Sequence, residues 1–197
     1  MKTKQSIRRL TIAALGTALV CVCTRAIQIP IPLGYAHLGD FAILLFSVYF
    51  GPWVGAFAAG IGSALADLLS YPEWTPATLL IKCLMGWAVA VLSRRRGETA
   101  PLRSLRVFLA ALAGMVIMVL GYFLAGSVMY GSIAAGAAQV PGLSVKGAAA
   151  MVLFYAAAAA LEAAGLRRWL KDLVPFFERK RNRKRPFRRE TPFCLRA

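Results

Sequence analysis

The sequence predicts an all-α membrane protein with six transmembrane helices and both termini in the cytoplasm. Of its 197 residues, 59% are hydrophobic and 16% are charged, whereas about a quarter of the residues in a soluble domain are charged. Several apolar segments approach the roughly 20 residues that a helix needs to cross a bilayer. Lys and Arg are concentrated at the two ends of the chain and in the loop 94–106. This distribution is typical of a polytopic membrane protein whose basic segments face the cytoplasm.

Composition also argues against several functional classes. The net charge of +16 does not indicate a nucleic-acid partner, because the basic residues do not form one face of a folded domain. The four cysteines fit neither a disulfide framework nor a zinc-binding spacing. The chain contains no G-x-x-x-x-G-K-[ST] phosphate loop, no H-E-x-x-H motif and no G-x-S-x-G motif. We therefore expect a protein that is not an enzyme, binds no metal or cofactor and does not hydrolyse ATP itself.

The first predicted span covers about 7–25 and is followed by a loop. Its basic start and apolar run also fit a signal peptide, but no small-x-small site closes the run, so we expect a retained helix. Ala14 and Ala18 lie four residues apart, which favours a close helix contact. Residues 27–36 contain two prolines and a glycine but no Lys or Arg, so we predict an extended outer loop.

The second and third spans are predicted over 38–50 and 53–70. We separate them at Gly51-Pro52 because Pro is favoured as the first residue of a helix. A single helix over 38–69 would place the basic N-terminus and the arginine-rich loop on opposite sides, whereas the split places both in the cytoplasm. Small residues recur at four-residue spacing in this region, and we expect them to serve close helix packing.

The rest of the chain completes the six spans. Residues 71–76 are predicted to form a proline-bounded turn at the membrane interface. Three more spans are predicted over 77–93, 105–130 and 143–166, with the five-arginine loop 94–106 in the cytoplasm and the loop 131–142 outside. We expect one six-helix domain, 1–170, and a basic cytoplasmic tail, 171–197.

Asp40, Asp67 and Lys82 lie at the margins of apolar segments, where ionisable groups are costly and therefore indicate function. The topology places all three in the outer half. Asp67 and Lys82 are equally distant from the middle of the 71–76 turn, so an antiparallel hairpin brings them to similar depth, and a salt bridge is expected. His37 and Lys146 are expected at the same level. We predict that a planar, polar heterocycle binds there, contacting Asp40, Asp67, Tyr71, Trp74, Lys82, Tyr122 and Gln139. The alternative is that Asp67 and Lys82 form a structural pair only.

Four stretches resemble one family of membrane proteins. They are LGD at 38–40, GPWVGAFAAGIGSALADLL at 51–69, YPEWTPATLLIK at 71–82 and GYFLAGSVMYG at 121–131. The chain resembles the substrate-binding (S) components of energy-coupling-factor (ECF) vitamin transporters. It is most similar to the riboflavin-transporter-like group, which includes hydroxymethylpyrimidine and pyridoxine-type members. The resemblance covers about 7–168.

The resemblance implies a function and partners. An S component captures a water-soluble vitamin or precursor outside a bacterial-type plasma membrane and delivers it inward with a transmembrane coupling subunit and two ATPases. It also implies that an A-x-x-x-A face, here Ala14 and Ala18, docks the coupling subunit. Many relatives carry Asn and Gln after the last outer-loop proline, whereas this chain has Leu143 and Lys146, which leaves the vitamin open. The alternatives are a self-sufficient secondary transporter with Asp67 and Lys82 as a proton relay, or a structural membrane protein.

Overall fold

The computed structural model describes residues 2–26, 28–31, 34–95 and 98–165, which form six α-helices. The helices are α1 (Lys2–Ala26), α2 (Gly39–Phe50), α3 (Pro52–Leu68), α4 (Thr75–Leu92), α5 (Leu105–Met129) and α6 (Ile133–Ala163). Short antiparallel hairpins pair β1 (Gln28–Ile31) with β2 (Gly34–His37), and β3 (Arg94–Arg95) with β4 (Glu98–Thr99). The six-helix prediction is confirmed. The predicted tail, 171–197, lies outside the described residues.

The helices differ in length and in their suitability to cross a bilayer. Four of them, α1, α4, α5 and α6, are long and apolar enough to do so. Helix α2 has 12 residues and α3 has 17, so α2 extends only about 18 Å. Nine of the 12 residues of α2 are buried, and α2 packs against α1, α3, α4 and α6. Its short length is therefore accommodated because other helices, and not lipid, surround it.

Consecutive helices run antiparallel, which gives the bundle two distinct ends. Gly16 of α1 packs against Phe46 of α2, and Gly121 of α5 packs against Ile81 of α4. The bundle end that contains the first turn of α2 is called the lysine end below, and the opposite one, near Gly51, is called the arginine end. The start of α1 and the last turn of α6 both lie at the arginine end, where Tyr49 donates a hydrogen bond to Glu162 over 3.2 Å.

The division between α2 and α3 falls at Gly51, as predicted. Gly51 has a φ of 94°, a backbone conformation that glycine adopts without the steric cost other residues incur. Pro52 then begins α3. The chain folds back sharply enough that a Cβ added at Gly55 would lie 2.7 Å from Cα of Ser47. Glycines thus allow both the turn and the close approach of α2 and α3.

Small residues also bring α3 and α4 into close contact, which confirms their predicted packing role. A Cβ at Gly86 would lie 2.6 Å from the carbonyl oxygen of Gly55 and 2.9 Å from Cβ of Ala59. Gly60 packs against Cys83. Close backbone approach through small residues is the usual basis of helix association in membranes.

Three loop predictions differ from the structure. Residues 131–142 were expected to form a loop, but α6 already begins at Ile133 and continues through Pro141. The segment 133–140 is rich in alanine, the residue most favourable in helices, and a membrane helix tolerates proline where nearby groups form alternative hydrogen bonds. The arginine-rich loop contains the β3–β4 hairpin, and a short 3₁₀ helix, Pro72–Trp74, replaces part of the predicted 71–76 turn.

The α3–α4 contact yields a stability prediction. Gly86→Ala should destabilise the detergent-solubilised protein by about 1–3 kcal/mol, because the new methyl group would overlap the backbone of α3. Gly147→Ala is the matched control: its Cβ would meet Met115 Sδ at 3.2 Å, and that flexible side chain can move. Thermal unfolding of both variants checks this, and equal stability would contradict the packing role of Gly86.

Candidate functional site

Buried charged side chains converge at the lysine end of the bundle. Asp40 lies in the first turn of α2, Lys82 in α4 and Lys146 in α6. Their exposed fractions are 0%, 0% and 6%, and that of the neighbouring His37 is 7%. We call these four residues the charged cluster. Their burial requires mutual compensation, because an isolated charge in a low-dielectric interior is costly.

One carboxylate faces both ammonium groups of the charged cluster. Lys82 Nζ donates a short hydrogen bond to Oδ1 of Asp40, and Lys146 Nζ lies 3.2 Å from Oδ2. The position of Asp40 in the first turn of α2 further stabilises its negative charge, because the helix dipole favours negative charge at an N-terminus. The carboxylate therefore links α2, α4 and α6.

The expected salt bridge between Asp67 and Lys82 is wrong, since Lys82 pairs with Asp40. Equal distance from a turn predicts depth along two helices but not the direction of each side chain around its helix axis. Asp67 is nonetheless buried, with an exposed fraction of 4%, and it interacts electrostatically with Lys146. It therefore belongs to the surroundings of the charged cluster.

His37 connects the β1–β2 hairpin to the charged cluster. His37 is the last residue of β2, directly before α2. The antiparallel register pairs it with Gln28, the first residue of β1. The backbone N–H of Gly39 donates to Nδ1 over 3.1 Å, and Nε2 lies 2.9 Å from Lys146 Nζ. Burial, together with the positive charge of Lys146, lowers the pKa of His37 well below its ordinary value. The imidazole is therefore neutral at physiological pH.

Aromatic side chains border the charged cluster. The ring centroid of Tyr122 lies 5.5 Å from Lys82 Nζ and 5.9 Å from Lys146 Nζ, distances at which a ring attracts a cation. The hydroxyl of Tyr122 is 2.9 Å from Oγ1 of Thr78, which orients the ring. Trp74 packs beside it, with centroids 5.8 Å apart, and lies 6.2 Å from Tyr130. We call Trp74, Tyr122 and Tyr130 the aromatic group.

Gln139 is a buried polar residue near Trp74. Its exposed fraction is 3%, and both its amide and the ring of Trp74 pack against Gly126, which has no side chain to fill that space. Within the described part of the chain, Nε2 of Gln139 has no hydrogen-bond partner. A buried amide without a partner is uncommon and calls for an explanation.

The structure thus brings together most of the predicted site residues. Asp40, Lys82, Tyr122 and Trp74 form a continuous series of contacts, and Gln139 and Trp74 both lie against Gly126. Tyr71 is half-buried at the start of the 3₁₀ helix, where its carbonyl accepts from the backbone N–H of Trp74 over 3.0 Å. His37 and Lys146 were expected at this level but not as site members, and the structure places both in the charged cluster. Among the described residues, no group of three His, Cys, Asp or Glu side chains could hold a metal ion.

Ala14 and Ala18 lie far from this site. Both are exposed on α1. The inward face of α1 is instead formed by Gly16 and Val20, which pack against α2 and α3. The two alanines are therefore not used for packing within the described bundle.

Comparisons with known proteins identify related chains. The family model described as ECF-type riboflavin transporter, S component, matches residues 4–163. A Pyrococcus woesei protein, described as an uncharacterised protein in the gap 3′ region, is 43% identical over 114 residues, which is 57% of this chain and 74% of that protein. A UPF0397 protein of Streptococcus agalactiae is 31% identical over 94 residues, 46% of this chain and 50% of its own length.

A solved structure shares the fold. It is the S component of a bacterial ECF transporter, and it matches with a TM-score of 0.63 over 84% of this chain and 99% of that chain. The two sequences are 18% identical. At this level of identity, the likeness establishes the arrangement of helices but not the ligand.

His37 predicts a specific pH dependence of stability, because it is the only histidine in the chain. Above pH 6.5, the imidazole is neutral in both the folded and the unfolded protein. Below pH 6.5, the unfolded chain binds a proton that the buried ring does not, so the free energy of unfolding should fall by up to about 1.4 kcal/mol per pH unit. His37→Gln should flatten this dependence between about pH 6.5 and 5. Equal slopes for the two proteins in thermal unfolding would contradict it.

Proposed function

The chain belongs to the family of ECF-type riboflavin transporter S components, and we propose from this premise that it captures a water-soluble vitamin or vitamin precursor at the lysine end. The charged cluster and the aromatic group form the binding site in this proposal. The observation that carries it is the buried amide of Gln139, whose Nε2 has no partner among the described residues. A ligand that supplies an acceptor to this amide would explain its position.

The lysines support the same conclusion. The ammonium group of Lys82 has three N–H donors, is 0% exposed and has one hydrogen-bonding partner within the described residues, Asp40. Buried donors left unpaired cost about 1–3 kcal/mol each, or more when charged. A ligand with several acceptor atoms would satisfy them, and the aromatic group would cover its apolar surface. A small number of polar groups beside aromatic walls is typical of small-molecule sites.

Delivery to the cytoplasm requires partners in this proposal. The chain contains no phosphate loop, so we infer that ATP is hydrolysed by two separate ATPases, which act through a transmembrane coupling subunit. The exposed pair Ala14 and Ala18 provides a surface for that subunit. We also infer that the lysine end faces outward and that both termini face the cytoplasm of a bacterial-type plasma membrane, because the arginine-rich segments lie at the opposite end.

A second candidate is a self-sufficient transporter coupled to protons. The observation that favours it is the buried network of Asp40, Lys82 and Lys146, since such groups carry proton relays in transporters. The network lies at one end of the bundle, however, whereas coupling sites of secondary transporters lie near the midplane. Substrate accumulation on a proton gradient, by the purified chain alone in liposomes, would establish the second candidate and overturn the first.

Gln139→Leu separates ligand binding from folding. The variant removes a buried amide that lacks a protein partner, so the ligand-free protein should become more stable by about 1 kcal/mol. If the ligand accepts a hydrogen bond from Nε2, its affinity should fall about tenfold. Ligand co-purifying with the wild-type protein is identified by extraction and mass spectrometry, with riboflavin as the first synthetic probe, and affinity is then measured by calorimetry.

Ser144→Ala is the matched control on the same helix. Ser144 is exposed, and its hydroxyl bonds only the backbone of its own helix, so both affinity and stability should stay within error. Reduced stability of Gln139→Leu, or unchanged affinity, would remove Gln139 from the site. Absence of any co-purifying ligand and of riboflavin binding would overturn the proposed function.

The exposed alanines of α1 predict an effect on uptake alone. Replacing both Ala14 and Ala18 with Trp should abolish vitamin uptake by the complete transporter, because the bulky rings prevent close approach of a partner helix. Ligand affinity of the isolated protein should not change, since both positions lie outside the charged cluster and the aromatic group. Leu15→Trp, a replacement at a neighbouring exposed position of α1, serves as the control. Equal loss of binding and uptake would indicate that the alanines support the fold itself.

A further inference from the structure

The charged cluster holds more positive than negative charge in direct contact. Lys82 and Lys146 are both buried, and within the described residues both form their ion pairs with the same carboxylate, that of Asp40. Asp67 interacts electrostatically with Lys146 but does not contribute to these two ion pairs. Electrostatic attraction weakens with distance. One contacting carboxylate therefore serves two ammonium groups, which leaves one positive charge in excess at this place.

The two ammonium groups also keep hydrogen-bond donors that the described protein does not use. Each ammonium group has three N–H donors. Lys82 donates one of them to Asp40. The polar neighbours of Lys146 Nζ are Oδ2 of Asp40 and Nε2 of His37. Within the described structure, two donors of Lys82 and one of Lys146 are therefore left for a ligand.

These donors converge on one position beside the aromatic group. The two ammonium groups approach the two oxygens of Asp40 and lie 5.5 and 5.9 Å from the same ring centroid, that of Tyr122. They are therefore close neighbours, and a second carboxylate next to them reaches both. Trp74 packs against Tyr122, so the same position adjoins an aromatic wall for a planar ring.

We propose that the ligand is a planar heterocycle with a carboxylate, and that this carboxylate bridges Lys82 and Lys146. The inference rests on the proposed function and names the chemical class of its ligand. A carboxylate supplies two acceptor oxygens and one negative charge, which matches the excess positive charge. Its hydrogen bonds with ammonium groups are about twice as strong as those between neutral groups.

The excess charge favours a carboxylate over the two other kinds of ligand. A phosphate ester carries about −1.5 to −2 charges at pH 7, so it would replace an excess of positive charge with an excess of negative charge. A neutral ligand would leave a buried ammonium group without a contacting counter-ion, which is costly in a low-dielectric interior.

Calorimetry with matched probes and the detergent-solubilised full chain tests this inference. One series shares the flavin ring: lumiflavin is neutral, 10-carboxymethylflavin carries a carboxylate and riboflavin 5′-phosphate carries a phosphate. A second pair, nicotinamide and nicotinate, exchanges an amide for a carboxylate on a smaller ring. In each series that binds, the carboxylate should bind about tenfold more tightly than the neutral compound. It should also bind more tightly than the phosphate.

Lys146→Gln removes the excess charge but retains N–H donors towards Asp40 and His37. Its unfolding temperature without ligand should stay close to that of the wild-type protein, because Asp40 keeps Lys82 as its partner. The preference for the carboxylate over the neutral compound should fall about tenfold. Arg25→Gln is the control: it removes an exposed positive charge of the lysine end and should leave this preference unchanged.

Several outcomes would overturn the inference and leave the proposed function intact. They are equal or tighter binding of the neutral compound, tighter binding of the phosphate, and a co-purified ligand without a carboxylate. A preference that persists in Lys146→Gln, or that disappears equally in Arg25→Gln, would also overturn it. If Lys146→Gln does not fold, the wild-type comparison decides. If no probe binds, the formula of the co-purified ligand decides, and absence of both would overturn the proposed function itself.

Discussion

A single buried carboxylate, Asp40, is the interaction on which the lysine end depends. It faces Lys82 on one oxygen and Lys146 on the other, so three helices meet at one negative charge. Removing a partner from a buried ion pair costs about 3–5 kcal/mol because the remaining charge is left uncompensated. The carboxylate of Asp40 therefore fixes the relative positions of α2, α4 and α6 at the same place where a ligand would bind.

The side chains around this carboxylate are held in place, and one of them carries hydrogen-bond donors without a partner among the described residues. Thr78 orients Tyr122, and Tyr122 lies under both ammonium groups. Next to this ordered region, Gln139 retains donors without a partner in the described protein. A site whose walls are fixed in advance loses little conformational entropy when a ligand enters. In the proposed function, these donors would make directional contacts with the ligand.

Sequence patterns predicted the helices well and the side-chain partners poorly. The break at Gly51-Pro52 was predictable because charge distribution and proline preference agreed. The start of α6 was not, because Pro141 usually marks a helix boundary, whereas here the alanine-rich helix begins at Ile133 and continues through it. The partner of Lys82 was missed for a different reason. Contacts between α2 and α4 arise from packing of helices distant in sequence, and no local pattern specifies which carboxylate faces the lysine.

The close backbone contact between α3 and α4 limits how the bundle can move. With the carbonyl of Gly55 against Gly86 and Gly60 against Cys83, these two helices approach closely and leave little room to slide past one another. They act mechanically as one rigid block. Packed interfaces of this kind switch between discrete arrangements more readily than they deform. In the transport cycle that the proposed function implies, α3 and α4 would therefore move together, along with α2 and α6, which Asp40 links to α4.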